Sequence, residues 1–446
     1  MLKTLLERAK GTPLDIRSTR LHRADILALL SPHSQQLRTL EFVYDRWSDI
    51  QRFSEAVSGP LPLLHTLKIG VVGYDIPRPE AMNLPLFSGA VNLKEFILHP
   101  EGELLLDYFA FPNLTTFQLS ATPDDGEFPV SQLLNFLEAS PTLQTVLIRI
   151  GAAISLEDIP PGRVIILPNV ETFSLTQDDP DYGIAARISF PSARLTSFVH
   201  EQEVEDVISV FPTSVSWNAI GPQHTERPID EVVLRITTAG DAVVACSLSF
   251  LSPGPATFEL GYRMIADYEG HRETPRSLGE KHSEVISQAF EAIRNHPLLG
   301  NVKRLRIWDR HRLLAPNRLA HIAYQAVRLL KSTGPLEELT LNVADLRPYL
   351  APFLDMPEFR DIERPVAFPF VEELMISRSL IPHDEECMAA IAEFAKSQHA
   401  LGVPFKRTIL RMKDSPVMMR MVERLEPWVG TVDFDEDIII DGRNLM

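Results

Sequence analysis

One spacing of apolar positions returns along the chain: apolar, two residues, apolar, one residue, apolar. It is written LRTLEF from Leu37, LHTLKI from Leu64, LKEFIL from Leu93, LTTFQL from Leu114, LQTVLI from Leu143 and VETFSL from Val170. Further copies are IDEVVL from Ile229, VKRLRI from Val302, LEELTL from Leu336, VEELMI from Val371 and VGTVDF from Val429, with a poorer one, LTSFVH, from Leu195. The last two apolar positions lie two apart, as in a strand with one buried face. A single such strand leaves its inner side uncovered, so the pattern predicts neighbours stacked into a continuous parallel sheet. From Leu37 to Leu195 the intervals are 27, 29, 21, 29, 27 and 25 residues, the period of a leucine-rich repeat. Later intervals are longer, and the longest, from Ile229 to Val302, predicts a degenerate copy or an insertion.

A proline stands two residues before the first apolar position at Pro62, Pro112, Pro141, Pro168 and Pro369. Without an amide hydrogen it separates the preceding segment from the next strand. Helical spacing occurs between strands, in VSQLLNFLEAS from Val130, EVISQAFEAIRNH from Glu284, NRLAHIAYQAVRLLKSTG from Asn317 and EECMAAIAEFAKS from Glu385. Together these elements predict an α/β chain built as an irregular leucine-rich-repeat solenoid, a horseshoe with a parallel concave sheet and convex helices. A doubly wound domain pair is the competing fold. Residues 1–31 are expected to form an N-terminal cap or the remnant of a first repeat, and residues 32–446 the solenoid. The stretch of about 200–270, with runs such as DAVVACSLSF and PATFELGY, is expected to be irregular and strand-rich, partly antiparallel. The ninth position of the repeats holds Asp45, Val72, Asp178, Thr237 and Arg310, so a regular asparagine ladder after the strands is not expected.

Composition narrows the function more than the fold. The 446 residues carry a formal net charge of −17, which argues against nucleic acid or an anionic membrane as the main partner, since both require clustered cation. No apolar run is long enough for a membrane span, and the first residues do not form a secretory signal. With only Cys246 and Cys387 there is no disulfide framework, which favours the cytoplasm or nucleus.

With LRTLEF, the FPNLTTFQLS and LPNVETFSL strand units and the PLDI segment near the start, the chain resembles the F-box/leucine-rich-repeat-like proteins expanded in mushroom-forming fungi. The resemblance covers most of the chain and rests on rhythm. It implies a substrate-recognition role, because in that family an N-terminal F-box docks on an adaptor of a cullin-type ubiquitin ligase while the repeats recruit substrates. No Leu-Pro-x-Glu-hydrophobic opening of an F-box is found in this sequence, so no F-box residue is carried over. The alternatives are a free-standing repeat scaffold without a ligase role and an α/β enzyme whose site is unrecognised.

Phosphate loops, dinucleotide fingerprints, nucleophile elbows and zinc helices are absent from the sequence, and neither catalysis nor a cofactor is expected. Three polar clusters have ordinary explanations: HDEEC from His383 begins a helix, GHRETPRSLGEKHSE from Gly270 is a solvated loop, and FDEDIIID from Phe434 is an acidic last strand. No metal site is expected in them. The sequon Asn113-Leu114-Thr115 falls in a repeat strand and is set aside. Strand alternation sends the residues between the apolar positions to the open face. In the first half these are mostly small and polar, such as Thr39, Thr66, Thr116, Thr145 and Thr172. Arg304, Arg306 and Trp308 alternate on one later strand, with Arg235 nearby. Paired arginines beside an indole suit an acidic or phosphorylated segment of a protein partner. Equally, they are the residues that would neutralise Glu231, Glu338 or Glu373 on adjacent strands.

Overall fold

The structure, a computed structural model, describes residues 2–9, 11–18, 29–57, 59–75, 86–101, 105–122, 128–151, 154–178, 182–203, 230–239, 243–251, 257–265, 302–309, 320, 336–343, 346–350, 354, 371–377, 385–411 and 416–434. These residues divide into two compact units, one within Met1–Glu201 and one made of Gln202, Glu203 and the described part of His224–Met446. The helical runs from Glu284 and Asn317 (Ala320 excepted), the loop from Gly270, His383, Asp384 and residues 435–441 lie outside the described residues.

In the first unit the strands are β1 (Leu14–Ser18), β2 (Leu37–Arg46), β3 (Thr66–Asp75), β4 (Glu95–Pro100), β5 (Thr116–Ala121), β6 (Phe128–Pro129), β7 (Thr145–Ile150), β8 (Ile154–Ser155), β9 (Ile165–Ile166), β10 (Thr172–Gln177), β11 (Ile188–Ser189) and β12 (Leu195–Glu203). The main sheet runs β1-β2-β3-β4-β5-β7-β10-β12, and every pair in it is parallel. Chain order is therefore sheet order for these strands, as stacked repeats require. The connections contain helix α2 (Trp47–Ala56) after β2 and α3 (Val130–Glu138) before β7, while α1 (Leu2–Ala9) precedes β1. Helices are not general, however. Leu106–Tyr108 and Tyr182–Arg187 are 3-10 turns, and the short parallel pairs β6–β8 and β9–β11 occupy other connections. Intervals of 21 to 29 residues leave little room for a helix once strand and turn are subtracted.

Each repeat enters its strand through one turn. The amide of the first apolar residue bonds back three residues: Leu64 to Leu61, Leu93 to Ala90, Leu114 to Phe111, Leu143 to Ser140, Val170 to Leu167 and Ala193 to Phe190. Proline takes the second place of five of these six turns, where its fixed φ suits it and its missing amide costs nothing. The third place of every turn but the first, which has Leu63, carries a polar side chain that donates to the carbonyl of the preceding turn's second residue. The rungs are Asn92 to Pro62 (2.9 Å), Asn113 to Val91 (2.8 Å), Thr142 to Pro112 (3.1 Å), Asn169 to Pro141 (3.0 Å) and Ser192 to Pro168 (2.7 Å). A polar ladder thus exists, at the entry to the strands and not after them, and built from serine and threonine as well as asparagine. It occupies the Asn113 amide of the sequon.

Inside, the first, fourth and sixth positions are buried: Leu93, Phe96 and Leu98, Leu114, Phe117 and Leu119, Val170, Phe173 and Leu175. Phe96 and Phe117 are register partners with ring centroids 5.9 Å apart, and α3 adds Phe136 at 4.6 Å from Phe117. The poorer copy at Leu195 is displaced. Thr172 pairs with Leu195 and Leu175 with Phe198, so the buried set is Ala193, Thr196 and Phe198, at 8%, 0% and 2% exposure. The copy is ARLTSF, with Pro191 in its usual place before it.

The second unit holds β13 (Glu231–Ala239), β14 (Val243–Leu251), β15 (Thr257–Ile265), β16 (Arg304–Asp309), β17 (Leu336–Val343), β18 (Val371–Ser377), β19 (Arg407–Arg411) and β20 (Val432–Phe434). From β13 through β16, β17, β18 and β19 to β20 the strands are parallel neighbours. β13 joins β16 directly, and no described strand lies between them. On its other edge β13 pairs antiparallel with β14, and β14 with β15. The long interval after Ile229 therefore contains inserted antiparallel strands among the described residues. β19 is a copy that an apolar pattern passes over: FKRTIL from Phe405 puts Thr408, at 0% exposure, where its neighbours have Leu374 and Val432. Helices α4 (Arg347–Leu350), α5 (Glu385–Ala400) and α6 (Pro416–Leu425) lie in the connections. Among the described residues no helix is long and apolar enough to cross a membrane.

The displaced register is open to a direct test. Thr196→Asp, which places a charge in the core, should lower stability by ~3 kcal/mol or more. Leu195→Ser, on the half-exposed face, should cost no more than ~1 kcal/mol. Chemical-denaturation midpoints in the reverse order would restore the copy beginning at Leu195.

Candidate functional site

β16 presents Arg304, Arg306 and Trp308 on one face, because Leu305, Ile307 and Asp309 alternate with them and are buried. Parallel registers then fix their neighbours. Arg304 lies between Glu231 of β13 and Glu338 of β17, Arg306 between Val233 and Thr340, and Trp308 between Arg235 and Asn342. The four residues singled out in the sequence, Arg235, Arg304, Arg306 and Trp308, are thus brought together on adjacent strands.

Their partners differ. Arg304 Nη2 lies 2.5 Å from Asp230 Oδ2, and its Nη1 is 3.5 Å from Glu231 Oε2. Arg306 Nε lies 3.0 Å from Glu231 Oε1 and 3.6 Å from Glu338 Oε1. The shorter approach is off the N–H direction, so it is an ion contact more than an aligned hydrogen bond. Thr340 donates its hydroxyl to Glu338 Oε1 at 2.8 Å. Both guanidinium groups are therefore engaged by carboxylates of neighbouring strands, as the second sequence reading supposed. Asp230, the nearest counter-ion, was missed in the sequence although it stands directly before Glu231. Arg235 is placed otherwise: its guanidinium carbon is 5.8 Å from the centroid of the Trp308 ring, within cation–π range.

The charge pattern extends to the residue before each of these positions. Lys303 meets Glu337 at 2.6 Å, and Lys406 meets Glu372 at 2.8 Å. Between these pairs Glu338 and Glu373 stand in register on β17 and β18, a like-charge pairing that costs stability. In the first unit the corresponding row is Thr39, Thr66, Glu95, Thr116, Thr145 and Thr172, all half-buried, with Thr66 donating to Glu95 at 3.0 Å. Among the described residues no group of three or more His, Cys, Asp or Glu side chains could hold a metal ion.

Glu231 is the electrostatic centre of the cluster, with its side chain only 7% exposed. Burial raises its pKa, against the opposing pull of Arg306 and Arg304. A carboxyl whose folded pKa is raised stabilises the fold fully below its unfolded value near 4.5 and loses that contribution as pH rises through the folded value. Comparing the native chain with Glu231→Gln isolates this group. The stability difference should move in favour of the glutamine variant as pH rises from about 4 to 7. A difference that stays flat, or moves toward the native chain, in thermal melts across that window would contradict the assignment.

No model of a known protein family matches the chain, and no curated protein matches it.

Proposed function

We propose that the chain is a leucine-rich-repeat solenoid whose open sheet face binds a protein partner and performs no catalysis of its own. The observation that supports this reading most is the repeated register. Successive strands place the same repeat positions side by side, giving a half-exposed polar row in one unit and a mixed ionic row in the other. Such rows suit an extended contact made by many residues, and the Arg235–Trp308 pair has the composition of a binding hot spot. A pocket with convergent acid–base groups is the feature an enzyme would need instead.

Within this reading the partner is a substrate recruited to a cullin-type ubiquitin ligase, a role that rests on the resemblance to fungal F-box/leucine-rich-repeat-like proteins alone. Purification of the protein tagged at its native locus, followed by mass spectrometry, should recover a cullin and its adaptor along with the bound substrates. Stable partners without any ligase component would reject the ligase role and leave a free-standing scaffold.

A further inference from the structure

On the β13–β16–β17 face the cations are not equivalent. Arg304 and Arg306 spend their charge on Asp230, Glu231 and Glu338. With all five groups ionised, these three carboxylates exceed the two guanidinium groups by one negative charge. Among the described residues, Arg235 has no carboxylate within ion-pair distance; the Trp308 ring lies against it on one side, and Ser247 of β14 is its register partner on the other. A half-buried guanidinium held against an indole is already oriented and partly desolvated, with its N–H groups left to take an oxygen anion.

We propose that Arg235, stacked on Trp308, is the anion-recognising point of this face, and that its ligand is a single Asp or Glu carboxylate of a partner protein, carried beside an apolar side chain that covers the indole. This deepens the partner-binding reading above and rests on it. Monovalency follows from the neighbours. A phosphoryl group carries close to two negative charges at neutral pH, and the surplus carboxylate charge of the Glu231–Arg304–Glu338 row, four residues along the strands from Arg235, repels it more strongly than it repels a carboxylate. The paired arginines next door serve to hold Glu231 and Glu338 in place; they do not themselves contact the partner's acid.

The test uses the full-length chain and a random-peptide display library. A selected peptide is then made in three forms, with its acidic residue as Asp or Glu, as the corresponding amide, and as phosphoserine. The acid form should bind at least about tenfold more tightly than the amide form, the size of one charged hydrogen bond. Arg235→Gln should erase that difference while leaving the melting temperature and the amide form's affinity unchanged, which is the coupling a double-mutant cycle measures. The phosphoserine form should bind no tighter than the acid. Peptides weakened by Trp308→Ala but indifferent to acid-to-amide exchange, or tighter binding of phosphoserine, would overturn this inference and leave the platform reading standing. A library that yields no binder, or only binders that Trp308→Ala leaves unaffected, would overturn the platform reading at this face and the inference with it.

Discussion

Parallel pairing in one register is the constraint on which the rest of the molecule depends. A parallel strand cannot slip by one residue without exchanging its buried and open faces, and in the first unit β3, β4, β5, β7, β10 and β12 are each set by the turn that precedes them. The six turns of the first unit share one backbone hydrogen bond, and the rungs between them tie the entry of each strand to the entry of the last. The rungs are individually weak, each worth about 1 kcal/mol when neutral and exposed. Their effect lies in repetition: five of them fix where successive strands begin, and the core positions follow. Phe96, Phe117 and Phe173 are buried at the same repeat position for that reason.

Much of this could be seen in the sequence, because leucine-rich spacing and the upstream proline report the same physical event, a turn followed by a half-buried strand. Ten copies lay where the spacing put them or had part of their strand outside the described residues, while in VGTVDF Val429 and Val432 are only half-buried. What escaped was polar chemistry in apolar positions. Thr196 and Thr408 are fully buried where leucine or phenylalanine usually stands, and a search for apolar residues slides past them, to Leu195 in one case and past the repeat altogether in the other. Threonine is tolerated there because its branched methyl packs on a pleated sheet. Pro191 and the serine after it carried the correct register, had turn chemistry been weighed above leucine count. The ladder was hidden for a related reason. Asparagine was sought after the strand, whereas the turn entering it offers an unsatisfied carbonyl, and serine or threonine reaches that carbonyl as well as asparagine does.

The candidate site was legible in its membership and not in its pairing. Alternation alone brings Arg304, Arg306 and Trp308 to one face, and adjacency of repeats brings Arg235 beside them. Which cation keeps its charge available depends on strand neighbours separated by many residues in sequence: Glu231 and Arg304 are joined only because β13 and β16 are adjacent despite the residues inserted between them. An ion pair across strands is a property of sheet order, and sheet order in the second unit departs from chain order at β14 and β15.

That departure bears on how such a face could discriminate. A row of free arginines would attract any anion, with an affinity set mainly by total charge and eroded by salt. In this face the charges of β13, β16 and β17 cancel to within one unit, so long-range attraction is small and, on the proposed reading, a partner would gain only where its own groups meet particular positions. Glu231 strengthens the effect. Burying it is costly unless Arg304 and Arg306 stay on it, which keeps those two arginines from being drawn away by a passing anion. On the proposed partner-binding reading, the internal ion pairs would act against unspecific binding and leave recognition to the groups outside the network, where geometry and not net charge decides.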